Sequence, residues 1–272
     1  MTWTQAVRVS AGHERVRREA AVTVWGRLAV VVVGLVVWWL VVVAEVLSPN
    51  LLPNPVDVAV AFAELVASAP FWAAIGATLL GALLGLLGGA VVGLPIGVVT
   101  GRSEKAELSL RFLLYFGRAF PAVALVGVFV LLFGRGTEMT AVLVWVAVVF
   151  PIALQTQHGV RRVEPMIVET SRAFRIPTGL LLRKVLLPSA APYIMTGFRL
   201  AATVAVLVAI SAEVLTGAPG IGSMIVDAQL GSNAPRAFAL ILFAGLLGYL
   251  VNLGVDALQR RTVSWRPAGE ED

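Results

Sequence analysis

One carboxylate, Glu213, stands inside an otherwise apolar stretch, close to Thr203, Ser211 and Thr216 and shortly before Gly220-Ile221-Gly222. A charge in hydrocarbon is costly, so this group should face a bundle interior or a water-filled cavity. Two roles fit it. It can line a pathway or outer gate together with Ser211, Gly220 and Gly222, or it can make an internal hydrogen bond that fixes its own helix. Other chemistry has few candidates. Cysteine is absent, which removes thiolate metal sites and cysteine nucleophiles. His13 and His158 are too isolated to suggest a metal site, and no Ser/His/Asp set, HExxH motif or paired intramembrane carboxylate occurs. A Gly-x4-Gly-Lys-Ser/Thr phosphate loop is also missing, and neither lysine, Lys105 or Lys184, lies in a glycine-rich setting. The chain is therefore expected not to be an enzyme, and any ATP chemistry must come from a different chain.

The elements that position these residues follow from composition. Of 272 residues, 58% are hydrophobic and only 14% charged, with a mean hydropathy of +0.89. Soluble domains run nearer 45–50% apolar and about 25% charged, so such a chain needs lipid to cover its surface. A crossing helix takes about 20 apolar residues. Six stretches qualify: residues 28–47, 71–100, 112–133, 139–156, 198–216 and 237–258. In hydrocarbon only helices or closed barrels satisfy the backbone, and runs this long without alternation are not barrel strands. The fold expected is all-α and integral to the membrane, with a segment 1–27, a six-helix domain 28–258 and a tail 259–272.

The basic residues set the orientation. Arg8, Arg15, Arg17, Arg18 and Arg27 precede the first stretch, and Arg102, Lys105, Arg111 and Arg118 follow the second. Arg161, Arg162, Arg172, Arg175, Arg183 and Lys184 follow the fourth, and Arg260, Arg261 and Arg266 follow the sixth. With six crossings all of these share one side, which the positive-inside rule makes cytoplasmic, along with both termini. The net charge of +5 thus reads as topology and not as a nucleic-acid surface. The long polar start and the absence of a small-x-small cleavage site predict that the first span is retained. Arg118, inside the third stretch, is expected to snorkel to the cytoplasmic face, with an anion site in the pathway as the alternative.

Two local patterns add detail. Gly81, Gly85, Gly89, Gly93 and Gly97 recur every fourth residue along one helical ridge, a spacing that lets two backbones approach closely. The partner is expected to be a helix of the same chain, with a sliding or dimerising surface as the alternative. Between the first two spans, Asn54-Pro55 with Asp57 predicts a capped helix whose Val58, Phe62, Leu65 and Val66 rest on the outer membrane surface.

The cytoplasmic loop over about 160–192 is the most informative stretch. Residues 169–174 read as an amphipathic helical turn, Ile176-Pro177 forces a bend, and a second helix is expected over 179–185, ending before Leu187-Pro188. Phe174, Leu180, Leu181 and Leu182 would then face cytosol, where apolar surface implies a protein partner.

These residues resemble the loop of ABC importer permeases whose pattern is Glu-Ala-Ala, three residues, Gly, nine residues, Ile-x-Leu-Pro. Glu169 matches the glutamate, Thr170 and Ser171 replace the alanines, Val185 stands for the isoleucine, and Leu187-Pro188 match directly. Arg175 occupies the glycine position, a departure at the bend between the two coupling helices. Further fragments in register, from Leu52-Pro53-Asn54-Pro55 through Gly93-Leu94-Pro95-Ile96-Gly97 and Phe120-Pro121 to Val263-Ser264-Trp265-Arg266, resemble the nitrate/sulfonate/taurine branch. The resemblance implies a type I importer permease in a bacterial inner membrane. Its coupling surface would comprise Glu169, Thr170, Ser171, Arg172, Phe174, Arg175, Pro177, Leu180, Leu187 and Pro188. It also implies ATPase subunits that bind ATP and magnesium, a second permease chain, identical or homologous, and an extracytoplasmic solute-binding protein. The solute would be a small organic anion or an aromatic compound. An ion-coupled secondary carrier using Glu213 and an integral-membrane enzyme or scaffold are the competing classes.

Overall fold

The computed structural model describes residues 25–26, 28–48 and 51–262. Expectations for the arginine-bearing N-terminal segment and for Val263-Ser264-Trp265-Arg266 lie outside these residues. Regular structure among the described residues is helical throughout.

Among the described residues, four helices are long and apolar enough to cross a membrane. They are α3 (Ala69–Arg102), α6 (Thr137–Arg161), α9 (Leu187–Thr216) and α11 (Ala234–Thr262), and they match the second, fourth, fifth and sixth expected spans. The first expected span appears as α1 (Leu28–Val43), a shorter apolar helix than the 28–47 read from sequence. The chain turns away beyond it, where Glu45 takes a left-handed conformation at φ 51°. The third span needs a larger correction, because it is not one straight helix over 112–133. It consists of α4 (Glu104–Ala119), a single 3-10 turn (Ala122–Leu125) and α5 (Val126–Phe133), and its two halves are bent by 84°. Pro121 explains the break. It holds Phe120 extended, at φ −69° and ψ 128°, and supplies no N–H to continue the helix.

The frame of the bundle is α3 against α6. A methyl group built on Gly81, Gly85, Gly93, Gly97 or Gly101 would meet Thr140, Val144, Ile152, Thr156 or Val160 in turn, and one on Gly89 would strike Val148. Four-residue steps on one helix are therefore met by four-residue steps on the other, in the same direction along the chain. The two helices run parallel, so the chain must cross back between them, and the bent α4–α5 pair makes that return. The glycine ridge is thus packed inside the chain, as expected. α9 runs antiparallel to α6, with Gly159 close to Ala190 and Tyr193 and Gly197 close to Gln155. Ala201, Ala205, Ala209 and Ala212 of α9 are buried in the core beside α3 and α6.

Two polar clusters tie the helices together. Glu107 of α4 pairs with Arg111 at 2.7 Å and with Arg161 of α6 at 3.6 Å, and Arg161 also donates to the Thr100 carbonyl of α3 at 3.3 Å. Arg199 of α9 pairs with Asp256 and donates to Gln259 Oε1 at 2.7 Å, both on α11.

The helix after the first span, α2 (Pro55–Val66), has the expected cap, with Asn54 Oδ1 accepting from the Val56 amide at 2.9 Å. It does not simply rest on lipid. Val58 and Leu65 are buried, and Phe62 packs against Phe71 of α3 and Phe243 of α11. An apolar stripe of this kind finds denser packing on protein than on lipid chains.

Gly85→Ala places its new methyl 2.5 Å from Val144 Cβ and 2.6 Å from the Ala141 carbonyl, whereas Gly76 has open space around it. Thermal unfolding in detergent is expected to show Gly85→Ala destabilised by about 1–3 kcal/mol and Gly76→Ala unchanged or stabilised.

Candidate functional site

The loop after α6 folds as an elbow. α7 (Pro165–Ala173) starts earlier than the 169–174 turn read from sequence, and α8 (Thr178–Leu181) follows it. The bend is a helix C-terminal motif in which the Ile176 amide donates to the Ser171 carbonyl at 2.9 Å. Arg175 stands at the position after the cap with φ 53°. Glycine prevails there because a Cβ is crowded in left-handed backbone. The glycine position of the pattern is therefore a conformational requirement, and Arg175 meets it at a cost. Pro177 caps α8, and its carbonyl accepts from the Leu180 amide at 2.9 Å.

α8 does not stop before Leu187-Pro188, as the sequence had suggested. It passes through one π-helical turn (Leu182–Leu186) straight into α9, with the Leu187 amide donating to the Leu182 carbonyl. The wider turn makes room for Pro188, which lacks an amide hydrogen and would otherwise clash with the preceding turn. The elbow is thus welded to a membrane-crossing helix.

Exposure divides the loop residues. Phe174 is 78% exposed and Met166 74%, with Leu180 and Ile176 exposed beside them. Glu169, Thr170, Arg175 and Pro177 are exposed as well, and Leu187 and Pro188 are half-buried. Leu181 is buried and Leu182 half-buried, contrary to the expectation that both face cytosol. With Val163 and Leu186 they form a small separate core. Ser171 is buried too, its hydroxyl donating to the Ile167 carbonyl at 2.7 Å. The side chain of Arg172 lies outside the described residues. Met166 and Ile167 belong to the exposed patch but were not singled out from sequence, where their helical spacing to Phe174 was the available signal.

A second polar site lies at the far end of α9. Glu213 is 1% exposed. Its Oε2 accepts from Thr78 Oγ1 of α3 at 2.9 Å and from the Gly222 amide at 2.9 Å, and Thr78 Oγ1 in turn accepts from the Ile221 amide at 3.0 Å. Those amides open α10 (Ile221–Leu230). The carboxylate and Thr78 thus take up free N–H groups in the first turn of that helix. Gly220, at φ 158°, and Gly222 are required here, because a Cβ on either would run into Glu213. Thr78 escaped the sequence reading, although it lies three residues before Gly81 on the same ridge. Ser211 sits apart from this lock. It borders a cleft of about 780 Å³ between α9 and α11, lined also by Thr203, Ile210, Tyr249 and Asn252.

The sequence of residues 93–264 matches the family described as "Binding-protein-dependent transport system inner membrane component". A putative aliphatic sulfonates transport permease protein, SsuC of Bacillus subtilis, is 31% identical over 86% of this chain and 85% of its own length. The taurine transport system permease protein TauC of Escherichia coli is 29% identical over 88% of each chain. Among solved structures, a chain of the MetNI methionine ABC transporter in an inward-facing conformation shares the fold, with a TM-score of 0.63. It is 22% identical and covers 71% of this chain and 98% of its own.

Both sites yield measurable outcomes. Thr78→Val is expected to destabilise the protein by about 1–3 kcal/mol through the Ile221 amide it leaves unpaired. A double-mutant cycle with Glu213→Ala should give a coupling above about 1 kcal/mol, read by thermal unfolding. At the elbow, Arg175→Gly should slow amide exchange at Ile176 by relieving roughly 1 kcal/mol of left-handed strain, and Arg175→Val should speed it.

Proposed function

This chain belongs to the binding-protein-dependent transport system inner membrane components, and on that premise we propose that it is half of an ATP-driven import pathway for a small organic anion of the sulfonate class. The observation that carries the coupling role is the elbow. Two short helices meet at a left-handed residue, present Phe174 and Met166 outward, and continue without a break into α9. A force applied there is transmitted to a core helix, because close-packed interiors transmit strain.

In this reading an ATPase subunit grips Glu169, Thr170, Phe174, Arg175, Pro177 and Leu180, while ATP and magnesium are bound on the ATPase chain. Arg172 belongs to the same surface by its position on α7. Leu187 and Pro188 act behind the elbow, at the join to α9. A second permease chain, identical or homologous, faces the open side of α9, and an extracytoplasmic binding protein delivers the solute. Segment 1–27, the elbow and the tail 259–272 face the cytoplasm, in keeping with the arginine distribution.

The sulfonate class comes from the relatives' names and from the cavities along α9, which have no aspartate or glutamate among the described residues that line them. Ser211 borders the outer part of the solute path. Glu213, Gly220 and Gly222 serve it indirectly by holding α10 across the outer ends of α3 and α9. An ion-coupled carrier finds little support in Glu213, since the carboxylate is sealed from solvent and already engaged with Thr78 and Gly222.

Phe174→Asp tests the coupling role. In proteoliposomes holding the permease with its ATPase and binding protein, ATP-driven uptake of taurine or ethanesulfonate is expected to fall at least about tenfold, with membrane insertion unchanged. Undiminished uptake by this variant would remove the coupling role.

A further inference from the structure

The inner end of the same open face of α9 holds a second cavity, of about 430 Å³. The Phe120-Pro121 break carries the last turn of α4 to its edge, so Gly117, which lies against Phe150 of α6, and Arg118 line the cavity together with Pro151 and Leu154 of α6. Gln155 and His158, three residues apart on α6, present polar side chains to the same space. Leu200, Val204 and Val208 of α9 supply an apolar wall, and Val123 borders both this cavity and the larger outer cleft. The two cavities therefore adjoin along α9.

Charge in this cavity is one-sided. No aspartate or glutamate lines it, and among the described residues no carboxylate pairs with Arg118. Among the other arginines at the inner ends of the helices, Arg111 and Arg161 pair with Glu107, Arg199 pairs with Asp256 and Arg162 lies over the Tyr193 ring. Arg102, Arg260 and Arg261 show no ion pair among the described residues but border neither cavity. A guanidinium with free donors, next to an amide and an imidazole, suits an oxyanion that can accept several hydrogen bonds at once. The apolar wall suits a short alkyl group attached to it. The volume falls within the range of small-molecule sites.

We propose that Arg118, with Gln155 and His158, forms an anion-selective station in the inner half of the solute path, built for a sulfonate or carboxylate head on a short apolar tail. The inference rests on the import reading above and deepens it by placing solute contact on α4 and α6 as well as α9. Arg118 thereby takes the second of the two roles open to it in the sequence.

The absence of cysteine makes a direct test possible. Val204→Cys, on the cavity wall, is introduced into the permease–ATPase complex in neutral detergent, which excludes anionic lipid as the source of any effect. It is then reacted with methanethiosulfonate reagents that differ in charge, one ending in an ethylsulfonate and the other in an ethyltrimethylammonium group. Rates are normalised to those of free cysteine. The sulfonate reagent is expected to be favoured about tenfold. Arg118→Gln should abolish the preference and Arg118→Lys should keep most of it, and ethanesulfonate should protect the cysteine where ethylammonium does not. Equal rates for the two reagents with Arg118 present, or a preference for the cation, would overturn the proposal even if Arg118→Gln fails to assemble. Labelling needs neither ATP nor uptake. An anion preference in a complex that moves no solute would leave this site standing and remove the import reading, whereas uptake without the preference would do the reverse.

Discussion

The close approach of α3 to α6 is the constraint on which the other placements depend. Glycine at every fourth residue of α3 lets the α6 side chains from Thr140 to Val160 sit directly against its backbone. Lipid offers little hydrophobic driving force between helices, so dispersion at short range has to supply the association. Once the two helices are parallel and in register, the segment between them must cross in the opposite direction. The bend at Pro121 shapes that crossing. α9 then fills the remaining side with small residues, alanine above all, and brings its two ends to opposite surfaces.

Those two ends of α9 carry different devices. At one end the helix continues through a π turn into the elbow, so α8 and α9 form one continuous helical piece. At the other end Glu213 and Thr78 hold the first amides of α10. Because the carboxyl group is fully enclosed, the two bonds that Oε2 accepts are made in a medium of low dielectric, where they are stiff, while Oε1 has no partner among the described residues. In the proposed import cycle, a helix anchored in this way at one end and joined to the elbow at the other would convert a displacement of the elbow into a change along the groove between them. Leu200, Thr203 and Leu207 of α9 remain exposed along this groove, which α11 borders on one side and α4 and α6 on the other.

Much of the architecture was legible in the residues. Hydropathy located the long spans. The Asn54 cap and the glycine ridge were readable because capping and close packing each demand specific residue types at fixed spacing. The elbow was readable too, as an amphipathic turn followed by Ile176-Pro177. Its details were less so. Arg175 gave no hint of left-handed backbone, since that conformation is imposed by the Ile176–Ser171 hydrogen bond and not by side-chain preference. Leu181 and Leu182 looked like cytosol-facing residues until Val163 and Leu186 were seen to enclose them.

By itself the sequence determined that this chain lives in lipid, that its helices pack through a glycine face, and that its longest basic loop is folded. These properties depend on composition and on short-range periodicity, which any local stretch carries within itself. Only the tertiary structure decided which carboxylate partners belong together, that Pro188 lies within a continuous helix, and that Arg118 shares a cavity with Gln155 and His158. Thr78 and Glu213 are 135 residues apart along the chain, and nothing local to either names the other. Their meeting depends on the register of α3, α6 and α9, a property of packed surfaces that no single segment encodes.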